Sequence, residues 1–232
     1  MLFKRAFFAF AGLFLVNAAV LRAGDTASFV DLGFSQDGSA YMFAQYGVTF
    51  DVLTPWAELF IVDVERNNFV PEGRISYTHD RPIDAGQDGS GALYRVIARN
   101  AGLIERYQLA YTNQGQPLYI TLGEGSAEGM SIAFRDFVAG ISYRATLIEK
   151  AIGSGRNIRS SFYITLESAD SDGEVKNFTI GTPQLERPSV LSYRIKKALI
   201  APSGNSLIFV IEMKRHAENG HDIRYMVEAL RF

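Results

Sequence analysis

The chain has no cysteine among its 232 residues, and this absence bears on its compartment. Disulfide bonds are excluded, and so is an N-terminal cysteine modified by lipid. Eukaryotic extracellular domains commonly contain disulfides, so an exported chain without cysteine fits a bacterial periplasm or cell envelope better. For the same reason the glycosylation-type triplet at residues 177–179 is interpreted as chance.

Basic residues are neither abundant nor clustered. Removing residues 1–23 takes away three basic residues and no acidic one, which changes the formal net charge from -2 to -5. Nucleic-acid binding requires a basic stripe or patch, which this sequence lacks, so that function class is disfavoured. The sequence predicts no nucleic-acid partner.

Residues 1–23 have the pattern of a secretory signal peptide. Lys4 and Arg5 precede an apolar run over residues 6–16, and small residues follow. The run is shorter than the ~20 apolar residues that a spanning helix needs. A retained N-terminal anchor is the alternative, and membrane contact is expected only through this segment if it is uncleaved. The residues after which cleavage would occur are Ala18, Ala19 or Ala23.

Aromatic residues make up 12% of the chain, and this content with 21 glycines favours a β-rich fold. We predict a mainly β protein with antiparallel, propeller-blade-like units and one substantial α-helix near 90–106, in a single domain over 24–232. In the helix, apolar residues recur at helical spacing after Ser90, a candidate N-cap. Residues 71–91 are predicted as a loop, because they hold several glycines and prolines. The predicted strands before the C-terminal segment are 27–34, 40–46, 57–64, 117–122, 130–137, 141–150, 160–168 and 174–180.

A pattern near the start of the chain returns near its end. At an offset of 166 residues, Phe34 falls on Ile200 and Gly38 falls on Gly204. In both copies the order is strand, glycine-containing turn, strand, loop, strand. Glycine suits such a turn because it adopts positive φ without strain. We expect the two copies to lie side by side.

Two resemblances follow from these segments. Phe34, Ser35, Asp37 and Gly38 resemble the F-S-P-D-G-K signature of TolB-like propeller repeats. The segments "FVDLGFSQDGSAYMFAQYGV", "ELFIVDVERNNFV" and "RPSVLSYRIKKALIAPSGNSLIFVIEMK" with "GHDIRYMVEALR" resemble the bacterial predicted secreted protein family called domain of unknown function 2259. This second resemblance implies an exported protein with no assigned activity, cofactor or catalytic residue.

The chain offers few groups for acid–base or metal chemistry. It has three histidines, and His216 and His221 lie on either side of an Asn219-Gly220 turn, where a metal site and a solvated hairpin end are both conceivable. Residues 168–173 have the spacing of a calcium loop, but a serine stands at the first ligand position. We predict no catalytic residue, no metal ligand and no cofactor, with exposed histidines at the hairpin end.

The candidate binding residues are Trp56, Phe50 and Leu53, in an unusually apolar loop between two predicted strands. An exposed apolar cluster marks an interaction site, whereas a loop folded back over the core would bury the same side chains. The leading hypothesis is an exported cell-envelope protein that binds another protein or a glycan without catalysis. The alternative is an exported hydrolase or metal-dependent enzyme whose site is assembled from distant loops, with His79, His216 and His221 as its only imidazole bases.

Overall fold

The computed structural model describes residues 24–121, 131–218 and 220–232, and the predicted signal peptide at 1–23 lies outside these residues. The described chain forms mostly antiparallel β structure with two short helical segments, which confirms the predicted fold class. The helices are α1 (Ser90–Arg99) and α2 (Ala101–Arg106). The strands are β1 (Ser28–Phe34), β2 (Ala40–Val48), β3 (Pro55–Asp63), β4 (Asn68–Thr78), β5 (Gln116–Ile120), β6 (Ser131–Asp136), β7 (Ile141–Ile152), β8 (Arg159–Ala169), β9 (Val175–Ile180), β10 (Arg187–Pro188), β11 (Val190–Ile200), β12 (Ser206–Ala217) and β13 (Gly220–Arg231).

The strands form three sheets. Sheet 1 has the order β1-β2-β3-β4, and sheet 3 has the order β13-β12-β11-β5. Sheet 2 has the order β10-β8-β7-β6, with β9 paired to β8. Among the described residues, no helical segment combines the length and the apolar character that crossing a membrane requires.

Sheet 3 is the middle layer, and its strand β12 is buried on both faces. Leu207, Phe209 and Ile211 pack against sheet 2, because alternate side chains of a strand point to opposite faces. Ile208 and Val210 point the other way and pack against sheet 1. The outer face of sheet 1 is covered by α1 and α2. The layers therefore run helices, sheet 1, sheet 3, sheet 2.

The two repeated hairpins stack face to face in neighbouring sheets. A Cβ built on Gly38 would lie 3.0 Å from the Ser203 hydroxyl oxygen, so the β1–β2 turn touches the β11–β12 turn. Gly38 and Gly204 both have φ of 72°, as the turn prediction requires. In the first turn, hydrogen bonds led by the Ser39 backbone N–H lower the pKa of Asp37 to about 2. The propeller resemblance itself stays a prediction.

Most of strand β4 lies within residues 71–91, which the sequence predicted to be a loop, so that prediction was wrong for residues 71–78. Pro71 and Gly73 normally punctuate loops, but β4 is an edge strand, where proline is tolerated. The register between β3 and β4 shifts between Phe60 and Val62, which accommodates Pro71 and the positive φ of Glu72 in a bulge.

The predicted helix at 90–106 is interrupted at Asn100, which separates α1 from α2. The Asn100 side-chain amide donates a hydrogen bond of 2.6 Å to the Val96 carbonyl, and Asn100 has φ of -115°. Such a bond to the preceding turn competes with the helical backbone pattern. Ser90 is the first helical residue rather than the N-cap, which is Gly89.

Glu228 joins all three sheets at the edge of β13. Its side chain accepts a hydrogen bond from the Asn67 amide, in the turn between β3 and β4, and its carboxylate lies 3.7 Å from the Arg187 guanidinium of β10. Only 4% of Glu228 is exposed. Burial raises its pKa, and the bonds to Asn67 and Arg187 oppose this effect.

Glu228→Gln is expected to gain stability relative to the wild type as the pH rises. The folded-state pKa lies above the ordinary value of 4.5, so the folded chain binds the proton more tightly than the unfolded chain does. Ionisation therefore lowers the free energy of unfolding of the wild type as the pH rises from 4.5 through the folded-state pKa. The glutamine side chain does not ionise in this pH range, so the variant lacks this loss of stability. Urea unfolding between about pH 4 and about pH 7 measures the difference. Exposed Glu105→Gln is the control, and a difference that is flat with pH contradicts the expectation.

Candidate functional site

The loop of residues 49–54 joins β2 to β3 and is held by hydrogen bonds at its base and near its tip. The Thr49 N–H donates to the Thr54 carbonyl at 3.0 Å, and the Thr54 N–H donates to the Thr49 hydroxyl at 3.0 Å. The Phe50 N–H donates to the Asp25 carboxylate at 2.8 Å. The backbone of the loop is therefore fixed, while 51% of Phe50 remains exposed.

A partly buried ionic cluster anchors Asp25 beneath this loop. The Arg224 guanidinium donates to the Asp25 backbone carbonyl at 2.9 Å and lies 3.7 Å from the Asp25 carboxylate and 3.6 Å from that of Asp222. Burial raises the pKa of Asp25, and the Phe50 N–H and Arg224 oppose the shift. Burial lowers the pKa of Arg224, and Asp222 and Asp25 oppose that shift. The cluster fastens residues 24–27 alongside β13.

Trp56, which the sequence grouped with Phe50 and Leu53, is part of the scaffold. Only 7% of it is exposed, and the Arg224 guanidinium lies 4.3 Å from its ring centroid. Its other neighbour is Gly47, where a Cβ would lie 2.9 Å from the indole. Truncating Trp56 would therefore disturb folding, so Phe50 is the better residue with which to test binding.

Leu53 has positive φ, which is uncommon for a residue other than glycine. Its φ is 50°, and the strain is held by two backbone bonds, from the Leu53 N–H to the Thr49 carbonyl and from the Ile83 N–H to the Leu53 carbonyl, both at 2.9 Å. Strained residues that the surroundings hold in place cluster at binding and catalytic sites. Leu53 and Phe50 thus share one rigid loop, and Leu53 also connects that loop to the segment before α1.

Phe50 and Leu53 line a surface cleft of about 270 Å³ between this loop, the N-terminal segment and the segment before α1. Two carboxylates, Asp25 and Asp84, and the Gln87 amide lie among its walls, and no basic side chain does. We call it the Phe50 cleft. Its lining residues are Gly24, Asp25, Thr26, Val48, Thr49, Phe50, Leu53, Ile83, Asp84, Gly86 and Gln87.

A second concavity, of about 560 Å³, lies on sheet 2 and was not predicted from the sequence. Its residues come from β6, the β6–β7 turn, β7 and β8 of sheet 2 and from β5 of sheet 3, so the packing of two sheets brings them together. We call it the sheet 2 recess. Its lining residues are Leu118, Tyr119, Ala133, Phe134, Arg135, Phe137, Ser142, Tyr143, Arg144, Glu167 and Ala169.

None of the three histidines lines either concavity. His221 is exposed as predicted, whereas His216, also predicted to be exposed, is half-buried. His216 and His221 face each other across β12 and β13 near the end of that hairpin, whose residue Asn219 lies outside the described part. The Nδ1 atom of His79 accepts the Arg81 N–H at 3.1 Å and lies 3.2 Å from the Asp80 carboxylate. Within the described residues, no three histidine, aspartate or glutamate side chains are grouped as metal ligands.

The calcium-loop spacing at residues 168–173 corresponds to the turn between β8 and β9. The Asp170 carboxylate accepts the backbone N–H groups of Asp172, at 3.0 Å, and Glu174, at 2.8 Å. The Asp170 carboxylate thus stabilises the turn of the β8–β9 hairpin, which is a simpler interpretation of the spacing than a calcium site.

Leu53→Val is expected to destabilise the protein by about 1–2 kcal/mol, and more than Leu53→Gly does. Valine keeps more apolar surface, but β-branched residues resist positive φ, whereas glycine adopts it freely. Urea unfolding of the two variants and the wild type measures this order. If the valine variant is as stable as the wild type, Leu53 is not strained.

The comparisons with known proteins agree with the export pattern. The model of the family described as predicted secreted protein, DUF2259, matches residues 42–231. No curated protein matches the chain. The match reaches strands of all three sheets and covers the β11–β12 hairpin, but it begins within β2, so β1 and the β1–β2 turn lie before it. The chain therefore belongs to the DUF2259 family of predicted secreted proteins, whose function is unknown.

Proposed function

We propose that this protein works in the periplasm or at the cell envelope of a bacterium as a non-enzymatic binding protein. In this proposal the Phe50 cleft contacts a partner protein. Membership of a predicted secreted family supports export, and the absence of cysteine favours a bacterial envelope over a eukaryotic extracellular space.

The observation that carries the proposal is the exposure of Phe50 on a fixed loop. An exposed aromatic residue on a mobile loop would lose conformational entropy on binding, whereas the hydrogen bond from the Phe50 N–H to Asp25 already orders the backbone of this loop. Val52, beside it, is also exposed. Preorganised aromatic side chains are typical of the residues that dominate protein interfaces.

The lining of the cleft indicates the kind of side chain that it receives. The walls combine aliphatic side chains with the carboxylates of Asp25 and Asp84, and the volume of about 270 Å³ suits one long side chain. A lysine or arginine of the partner fits, because its methylene stem packs on Phe50 and Leu53 while its charge meets the exposed Asp84 carboxylate. The Asp25 carboxylate already pairs with Arg224.

Export is expected to remove residues 1–23. Intact mass measurement of the protein recovered from the envelope or culture fluid should give a chain that begins at Gly24. A Cβ at position 24 would lie 2.2 Å from the His221 carbonyl oxygen, so this glycine is already fitted against β13. A mature protein that retains the first 23 residues would favour the membrane-anchor alternative.

Phe50→Ser is expected to weaken partner binding by about tenfold or more, as loss of a central aromatic contact does. A photo-crosslinking residue at position 50 should capture the partner in the producing cells, and mass spectrometry identifies it. Dissociation constants are then measured with the purified partner for the wild type, Phe50→Ser and Tyr94→Ser. Tyr94 is the matched control, because it is an aromatic residue of α1 with 70% exposure that lies outside the cleft.

Three results would contradict the proposal. The first is crosslinking no stronger at position 50 than at position 94. The second is a partner that binds Phe50→Ser as tightly as the wild type. The third is a captured glycan in place of a protein, which would select the other expected class of partner.

A further inference from the structure

The sheet 2 recess opens on the outer face of sheet 2, which α1 and α2 do not cover, and Leu118 and Tyr119 of β5 in sheet 3 complete its lining. In the register of β6, β7 and β8, Ala133, Arg144 and Glu167 form one row across the sheet, and Arg135, Ser142 and Ala169 form the next. All six side chains point away from the core, because the residues that alternate with them are the core residues of these strands. Ala133, Ser142 and Ala169 thus form the floor, and the charged side chains that stand above it, with Arg144 on the central strand β7, form what we call the rim.

The two arginines of the rim are diagonal neighbours on adjacent strands, roughly 7 Å apart at their backbones. In the part of the chain that the structure describes, neither guanidinium has a carboxylate oxygen within 4 Å. Glu167 stands opposite Arg144 in register but does not reach it. Two neighbouring unpaired guanidinium groups favour an anion between them, and each can bind a carboxylate with two hydrogen bonds.

An exposed aromatic ring stands at one end of the recess. Phe137 is 84% exposed, and it belongs to a turn whose backbone is fixed, since the buried Asp136 carboxylate accepts the N–H groups of Val138, at 2.8 Å, and Ala139, at 3.0 Å. The Arg135 guanidinium lies 5.8 Å from the ring centroid of Phe137. The backbone that carries the ring is therefore fixed, and the ring is exposed to solvent beside a cation.

We propose that the sheet 2 recess binds an acidic saccharide, specifically a sugar residue that carries a carboxylate. Arg135 and Arg144 bind the carboxylate, and the sugar ring lies over the floor between them, with Phe137 against its apolar face. Glu167 and Ser142 accept or donate hydrogen bonds to the hydroxyl groups. The volume of about 560 Å³ accommodates a short oligosaccharide.

The surrounding charges favour this ligand over two other anionic ones. The β8–β9 turn at the same end of sheet 2 carries Asp170, Asp172 and Glu174, which would repel an anionic bilayer. Glu167 in the rim would repel a polyacidic peptide, whereas it is a suitable acceptor for sugar hydroxyls. A saccharide with a single carboxylate and many hydroxyls matches both features.

The test uses a panel of short, otherwise neutral oligosaccharides that carry one galacturonate, mannuronate or glucuronate residue, and the methyl esters of the same compounds. Binding to the full mature chain is measured by calorimetry and by NMR shifts. The expected result is that at least one uronate binds. Its methyl ester should bind at least about tenfold more weakly, because the charge-assisted hydrogen bonds are lost. Arg144→Gln and Arg135→Gln should each lower the affinity by about tenfold, and Phe137→Ser should lower it as well.

Arg95→Gln, an exposed arginine of α1, is the matched control and should bind as the wild type does. Phe50→Ser should also retain uronate binding, so this proposal and the proposed protein contact can fail independently. Three results overturn the inference: no uronate binds, the ester binds equally well, or the recess variants bind unchanged. Arginine-dependent binding of anionic phospholipid vesicles or of an acidic peptide, with no saccharide binding, overturns it in favour of that ligand.

Discussion

The burial of sheet 3 on both faces is the constraint on which the rest of the fold depends. A strand in such a sheet must be apolar at every position, and β12 meets this requirement with a continuous run from Leu207 to Ile211. Its odd-numbered residues form the core with sheet 2, and its even-numbered residues form the core with sheet 1. Sheets 1 and 2 therefore share one central layer. Sheet 2 needs only one apolar face, whereas sheet 1 packs on sheet 3 with one face and on α1 and α2 with the other.

Apolar packing is not directional, so polar contacts at the rims of sheet 3 set how sheet 1 is positioned on it. The Lys197 ammonium of β11 lies 2.7 Å from the Asp31 carboxylate of β1. The Tyr225 N–H of β13 donates to the Gln45 side chain of β2 at 2.7 Å. The Asn67 side chain accepts the Ala229 N–H at 2.7 Å and donates to Glu228. These groups are partly or fully buried, so leaving any of them unpaired is costly.

The sequence predicted those turns and strands that are determined by residues close together in the chain. The turns at Gly38 and Gly204 and most of the strands follow from residues next to each other in sequence. Strand β4 was missed because the tolerance of an edge strand for Pro71 depends on which strands are its neighbours. The break at Asn100 depends on one side-chain bond to the preceding turn.

The two candidate sites also depend partly on local sequence and partly on contacts between distant segments. The Phe50 loop was found from its composition, but the separation of exposed Phe50 from buried Trp56 depends on Arg224, which lies 168 residues further along the chain than Trp56. The sheet 2 recess depends on the register of three strands. It lies on an outer layer, while the Phe50 cleft lies where the β2–β3 loop of sheet 1 meets the segment bound to β13 of sheet 3. Substitutions in the two sites share no contact, so their effects on stability should add, and coupling between them would have to pass through the central sheet.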